Sequence, residues 1–197
     1  MTEPVQPTSP GPAETQPHSL LPSSDGDWTH WVRSWFRDVS LALVIAGVII
    51  LFFYQPVKVE GTSMMPRLSD QERIFINKFV YRLEPIHRGD VVVFWFPGDT
   101  TKSYIKRVVG LPGDMVEMVR GEVYVNGRRL EEPYIFPAYR GTQTFGPARV
   151  GPGEYFVLGD HRNSSNDSRV WGAVPRHFIY GKAELVYWPI DRWGLLE

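Results

Sequence analysis

The longest apolar run in this chain spans residues 39–54, where Asp38 is the last charge before Tyr54. With its flanks the run reaches to about Val57. At about 1.5 Å per residue, nineteen helical residues would cover about 28 Å, close to the apolar thickness of a bilayer. Trp31 and Trp35 before the run and Tyr54 at its end suit the two interfacial belts. Residues 36–57 are therefore expected to form a single transmembrane anchor. A cleavable leader would need a short basic start and a small-residue cleavage site. Here a long acidic segment precedes the run, and Phe52-Phe53-Tyr54-Gln55-Pro56 follows it. Before the anchor, residues 1–30 are rich in Pro, Ser, Thr and Gln, and up to residue 27 they carry four acidic residues and no Lys or Arg. Such a segment buries too little apolar surface to offset chain entropy and reads as a disordered tail.

Beyond the anchor the pattern changes to short strands. Val91-Val92-Val93-Phe94-Trp95-Phe96 is stopped by Pro97-Gly98. Glu122-Val123-Tyr124-Val125 alternates, and Asn126-Gly127 predicts a tight hairpin into Arg128-Arg129-Leu130. Tyr155-Phe156-Val157-Leu158 and Ala183-Glu184-Leu185-Val186-Tyr187-Trp188 complete the set. No long period of 3.6 follows the anchor, although short helices near Ser63 or Pro175 fit the pattern. The expected fold class is mainly β: one N-terminal transmembrane helix, then an all-β domain over residues 58–197, with an inserted subregion at about 115–153. No internal repeat is visible.

Composition narrows the chemistry. Of 197 residues, 21 are Lys or Arg and 22 Asp or Glu, giving a net charge of −1. That balance lacks the basic stripe of a nucleic-acid partner. The chain has no cysteine, which removes disulfides, thiol nucleophiles and thiolate metal sites. Its five histidines (His18, His30, His87, His161, His177) include no pair at ligand spacing, so neither a metal nor a cofactor is expected.

What remains is serine and lysine. Gly61-Thr62-Ser63-Met64-Met65-Pro66 lies just past the anchor, and Tyr104-Ile105-Lys106-Arg107 follows some forty residues later. A serine hydroxyl needs a base to become a nucleophile, and lysine serves only when neutral, which requires a dry pocket. Lys106 stands among Tyr104, Ile105, Val108 and Val109, as such a pocket would need.

Four ordered blocks carry a resemblance. They are Pro56-Val57-Lys58-Val59-Glu60-Gly61-Thr62-Ser63-Met64-Met65-Pro66-Arg67-Leu68; Arg88-Gly89-Asp90-Val91-Val92-Val93-Phe94; Tyr104-Ile105-Lys106-Arg107-Val108-Val109-Gly110-Leu111-Pro112-Gly113-Asp114; and Gly159-Asp160-His161-Arg162-Asn163-Ser164-Ser165-Asn166-Asp167-Ser168-Arg169-Val170-Trp171-Gly172. From the anchor to about residue 185 the chain resembles the type I signal peptidases, membrane-bound Ser-Lys endopeptidases that remove signal peptides from exported proteins. The resemblance implies Ser63 as nucleophile, Lys106 as general base and Ser165 as the group orienting the lysine. Asp167 and Arg169, with Arg107, would form a supporting ion-pair set. Met64, Leu68, Tyr104 and Ile105 would line the pocket for the residue before the cut. Val57, Ile74, Val93 and Ile105 would line the pocket for the third residue before it, and both pockets would take small side chains.

Two departures stand out. Gly61 replaces a serine that in many relatives helps the oxyanion hole. His161 replaces an amide side chain, which opens a reading of His161 as base beside its reading as a hydrogen-bonding group. The partners implied are signal peptides and a lipid bilayer. The implied location is the plasma membrane, single-pass, with the N-terminus cytoplasmic and the catalytic domain outside. The charges flanking the anchor (Arg33 and Arg37 before; Lys58, Arg67 and Arg73 after) do not fix that orientation by themselves. Two other classes compete: another Ser-Lys processing protease, and a non-catalytic tethered β-domain that binds exported chains.

Overall fold

The computed structural model describes residues 27–196. Most of the expected tail, residues 1–26, lies outside them. Two compact units divide at residues 45 and 46. Helix α1 (Asp27–Phe53) begins inside the stretch expected to be tail, so residues 27–30 are helical. Trp28, Trp31, Trp35 and Phe36 are exposed along its first half, and so are Leu41, Leu43, Val44, Ile45, Val48, Ile49 and Ile50 further on.

The helix stops earlier than expected. The chain turns into strand β1 (Tyr54–Lys58), so the last four residues assigned to the anchor belong to a sheet. Lys78 N–H donates to the Phe53 carbonyl (3.2 Å), and Val57 pairs with Ile74. Residues 39–53, the uncharged part of α1, rise only about 22 Å as a helix. Among the described residues no helix is long and apolar enough to cross a membrane.

Residues 46–196 are mainly β. The first sheet has the order β1, β2 (Arg73–Asn77), β11 (Ile179–Trp188), β3 (Val91–Phe96), β4 (Asp99–Gly110), β9 (Glu154–Leu158) and β10 (Val174–Pro175), with β12 (Gly194–Leu195) also on β11. A second sheet runs β7 (Arg128–Arg129), β6 (Glu122–Val125), β5 (Met115–Val119), β8 (Phe145–Arg149). Every pairing is antiparallel. Short helices α2 (Val80–Leu83), α3 (Pro137–Arg140) and α4 (Ser168–Trp171) punctuate the connections.

The sequence pattern explains the layers. In β3 the run from Val91 to Phe94 is buried throughout because both faces are covered. Val91 and Val93 pack with Ile74, Ile76 and Ala183, while Val92 and Phe94 pack with Val108, Val157 and Val174. The hairpin forms as predicted: Asn126 (φ 54°) and Gly127 (φ 75°) both adopt the left-handed region that a two-residue turn requires. The second sheet and its connections span residues 115–149. Its core, built on Val116, Met118 and Val123, meets the first sheet at Gly110, where a Cβ would come within 2.6 Å of Val116 and 2.9 Å of Phe156.

Candidate active site

The nucleophile candidate stands on a pinned loop. After β1 the chain leaves the sheet and returns to β2, and the loop is closed by Val59 N–H to Glu72 (2.7 Å) and Gln71 N–H to Val59 (2.9 Å). Gly61 (φ 93°) makes the bend, and its N–H donates to the Asp70 carboxylate (2.8 Å). A turn follows, with Leu68 N–H donating to the Met64 carbonyl (2.9 Å). Met64 and Leu68 anchor it in the core, which leaves Ser63 half-buried at its start.

Lys106 reaches this serine from β4. Its Nζ lies 2.6 Å from Ser63 Oγ and donates to the Ile105 carbonyl (3.1 Å). The lysine is 4 % exposed. Burial lowers its pKa from 10.5 to about 8, against the opposing pull of Asp167 and then Asp160. A buried amine disfavours its charged form, so the free base is available near neutral pH. The two side chains that sequence singled out are thus together, and burial brings the lysine's neutral form within reach near neutral pH.

A ring of ion pairs holds the loop behind them. Arg107, the residue after the lysine, was expected to support Asp167 and Arg169. It instead makes a bidentate pair with Asp160 (2.9 and 2.7 Å) and donates to the Gly89 carbonyl (2.8 Å). The expected Asp167–Arg169 pair is present (2.8 Å twice), and Asp167 also accepts from Gly159 N–H (3.0 Å). The third pair, Arg162–Glu132, went unrecognised in the sequence. Glu132 comes from the segment that follows β7, as does Tyr134, whose ring lies 4.1 Å from the Arg107 guanidinium. One use of the 115–153 subregion is therefore to brace the loop carrying Asp160 and Arg162.

Ser165 departs from expectation. Its Oγ is buried without a hydrogen-bond partner, so the bond expected to Lys106 is not formed and the lysine is held by the Ile105 carbonyl instead. It does lie close behind the serine: a Cβ on Gly159 would be 2.2 Å from Ser165 Oγ and 2.4 Å from the Ser63 carbonyl oxygen. His161 grips the same backbone. Its N–H donates to the Ser63 carbonyl (3.0 Å), and Nδ1 is 3.1 Å from the Thr62 carbonyl, to which the Nδ1–H form donates. That geometry favours the hydrogen-bonding reading of His161 over a base.

A cleft of about 340 Å³ opens beside the dyad. One wall is residues 57–61 and the other is Ser103 to Lys106. Each wall includes a free strand edge, β1 at Val57 and Lys58 and β4 at Ser103 to Lys106. β1 ends the sheet, and β4 pairs with β9 only from Arg107 onward. Five of the expected pocket residues (Val57, Met64, Val93, Tyr104, Ile105) line the cleft. Leu68 and Ile74 do not: each is 0 % exposed, inside the core behind it. Tyr180 and Asn166 line it as well, and neither was assigned this role from sequence. Among the described residues no group of three His, Cys, Asp or Glu is placed to hold a metal ion.

Comparison with known proteins identifies a family. Residues 32–188 match the family described as signal peptidase, peptidase S26. The chain is 43% identical over 168 residues to a probable signal peptidase I-2 of Synechocystis sp., covering 81% of this chain and 75% of that one. It is 39% identical over 171 residues to a signal peptidase I of Bacillus amyloliquefaciens, covering 82% and 86%. It is 36% identical over 195 residues to the signal peptidase I of Leptolyngbya laminosa, covering 94% and 89%. A crystal structure of a signal peptidase I from Enterococcus faecalis is 32% identical and covers 50% of this chain and 97% of that one, at a TM-score of 0.45. With its family match running from α1 into β11, this chain belongs to the signal peptidase family, peptidase S26.

Proposed function

We propose that this protein is a serine endopeptidase that removes N-terminal signal peptides from exported preproteins after small residues, with Ser63 as nucleophile and Lys106 as general base. The observation that carries the assignment is the 2.6 Å approach of Lys106 Nζ to Ser63 Oγ inside a pocket that holds the amine near pKa 8.

The chemistry follows from that pair. Neutral Lys106 takes the Ser63 proton as Oγ attacks the scissile carbonyl carbon, and the carbonyl electron pair moves onto oxygen. The Ser63 backbone N–H would donate to that oxyanion. Gly61 offers no side-chain donor, and its N–H is committed to Asp70. Collapse breaks the C–N bond, and the Lys106 ammonium gives its proton to the leaving amine. Water, deprotonated by Lys106 in turn, hydrolyses the Ser63 ester and releases the signal peptide.

The substrate would enter as an extended strand between the two free edges, giving backbone hydrogen bonds to both walls and side chains to alternate pockets. The walls at Met64 and Tyr104, and at Val57, Val93 and Ile105, leave room for small groups at the first and third positions before the cut.

Helix α1 would be the bilayer anchor. Consecutive apolar residues from Val48 to Ile50 are exposed, so the apolar surface wraps the helix rather than forming one stripe. Its 39–53 stretch is short for a full bilayer core, and the exposed Trp31, Trp35 and Phe36 would extend contact into the interface. The same reading places the catalytic domain on the outer face of the plasma membrane, where exported chains emerge.

Purified protein incubated with a preprotein, beside Ser63→Ala, tests the assignment. Processing by the wild type and none by the variant is expected. Equal processing by both would reject Ser63.

A further inference from the structure

β11 departs from regular pairing where it crosses the cleft. Ile179 faces Phe94 and Gly181 faces Val93, so two steps along β11 match one step along β3. Tyr180 is the extra residue of this bulge. A bulge re-aims a side chain that regular alternation would place elsewhere. Here it delivers the Tyr180 ring to the cleft lining, packed, as Val57 and Ile105 are, against the buried cluster that includes Val93.

The ring is fixed from two sides. It stacks on Trp95 with centroids 4.7 Å apart, and its hydroxyl donates to Ser103 Oγ (3.2 Å). The pairing of β3 with β4 sets where this assembly lies. Val93 is opposite Ile105, and one pleat further from the dyad Trp95 is opposite Ser103. Successive same-face positions on a strand are two residues apart, about 6.7 Å. An extended substrate has the same repeat. If the third side chain before the cut meets Val93 and Ile105, the next to face the same wall is the fifth.

Resting on the peptidase reading above, we infer that Tyr180, with Trp95 and Ser103, forms a subsite for the side chain of the fifth residue before the cleavage site, and that it selects for a branched apolar group. The tyrosine hydroxyl spends its proton on Ser103, so most of the surface left to the substrate is ring and apolar wall. Trp95 is 41 % exposed, which makes the subsite an open ledge. It accommodates leucine or valine, unlike the narrower positions beside Met64 and Tyr104. A ledge of this kind gains affinity from each methylene it covers and gives a polar group no partner.

The test uses two peptides that differ only by leucine or alanine at the fifth position before the cut, with kcat/KM measured for each by the full-length enzyme. The ratio within one enzyme preparation cancels the fraction of active protein, so partial misfolding of a variant leaves it readable. The wild type is expected to prefer leucine about tenfold. Tyr180→Ala should bring the ratio below about twofold, and Tyr180→Phe, which keeps the ring, should retain most of it. Should Tyr180→Ala yield no active enzyme, Trp95→Ala at the exposed side of the stack reads the same ratio with the same expected loss. A wild-type ratio near one, or a ratio unchanged in the alanine variants, overturns the subsite while leaving the peptidase intact. Absence of any cleavage by the wild type overturns the peptidase reading and the subsite with it.

Discussion

Buried in the native protein, Lys106 makes the pH dependence of turnover a quantitative test. At pH 7 a lysine of pKa 10.5 is neutral in about 0.03% of molecules, and one of pKa about 8 in about 10%, a gain of about 300-fold in competent enzyme. The value of kcat/KM should therefore climb about tenfold per unit at low pH, bend near 8 and less than double between pH 8 and 9. A solvated lysine would still give almost tenfold across that last unit. The assay is peptide cleavage from pH 6 to 10, repeated in His161→Asn, which should keep the same bend. Stability carries the same signature with a definite sign. The folded state holds Lys106 less well protonated than the unfolded chain, so protonation opposes folding. That cost is complete below about pH 8, fades as pH rises and is gone above 10.5. It amounts to about 3–4 kcal/mol, the free-energy equivalent of holding the amine near 8 rather than 10.5. Lys106→Met keeps the length and sheds the charge, so it should be inactive yet more stable than wild type at pH 7 in denaturant unfolding, with the gap closing toward pH 10. A straight rise in rate beyond pH 9, or a Lys106→Met protein less stable than wild type at pH 7, would refute the reasoning.

The remaining predictions concern the frame around the dyad. Ser63→Ala, Lys106→Ala and the double variant should show nearly equal residual cleavage, because both groups serve one proton transfer; additive losses in single-turnover assays would break that link. Gly159→Ala should lower kcat about 100-fold with the circular dichroism spectrum unchanged, since its Cβ would press on the Ser63 carbonyl at 2.4 Å; near-normal kcat would show that the serine backbone is free to shift. Asp160→Asn leaves the Arg107 guanidinium uncompensated at 1 % exposure, and should cost about 3–5 kcal/mol in urea unfolding; a loss under about 1 kcal/mol would mean that water reaches the pair.

The fold and the dyad were legible because they rest on local signals. The β3 run, the Asn126-Gly127 turn and the apolar α1 each follow from residues adjacent in sequence, and Ser63 and Lys106 sit in motifs of their own. What stayed hidden depends on how strands meet. Ile74 in β2 and Leu68 in the turn after Ser63 are apolar whether they line a cleft or a core, and packing against Val59 and Met64 decides for the core. Tyr180 enters the cleft through a bulge whose one local signal is the glycine after it, Gly181. Arg107 could meet either of two carboxylates far along the chain, Asp160 or Asp167, and the register Arg107–Leu158 brings Asp160 to it. Glu132 finds Arg162 from thirty residues away, across the boundary between sheets. The end of α1 was misplaced because Tyr54 and Val57 are as apolar as a helix flank, while their pairing with β2 makes them strand.

The central claim is that this chain cuts exported preproteins at a defined site through Ser63 and Lys106. The most direct measurement is the N-terminal sequence of the product released from a model preprotein by the purified full-length enzyme. The account predicts one new terminus, immediately after a small residue with another small residue two positions earlier, and no product from Ser63→Ala or Lys106→Ala. Scattered termini, cleavage after large residues, or the same terminus from either variant would contradict it.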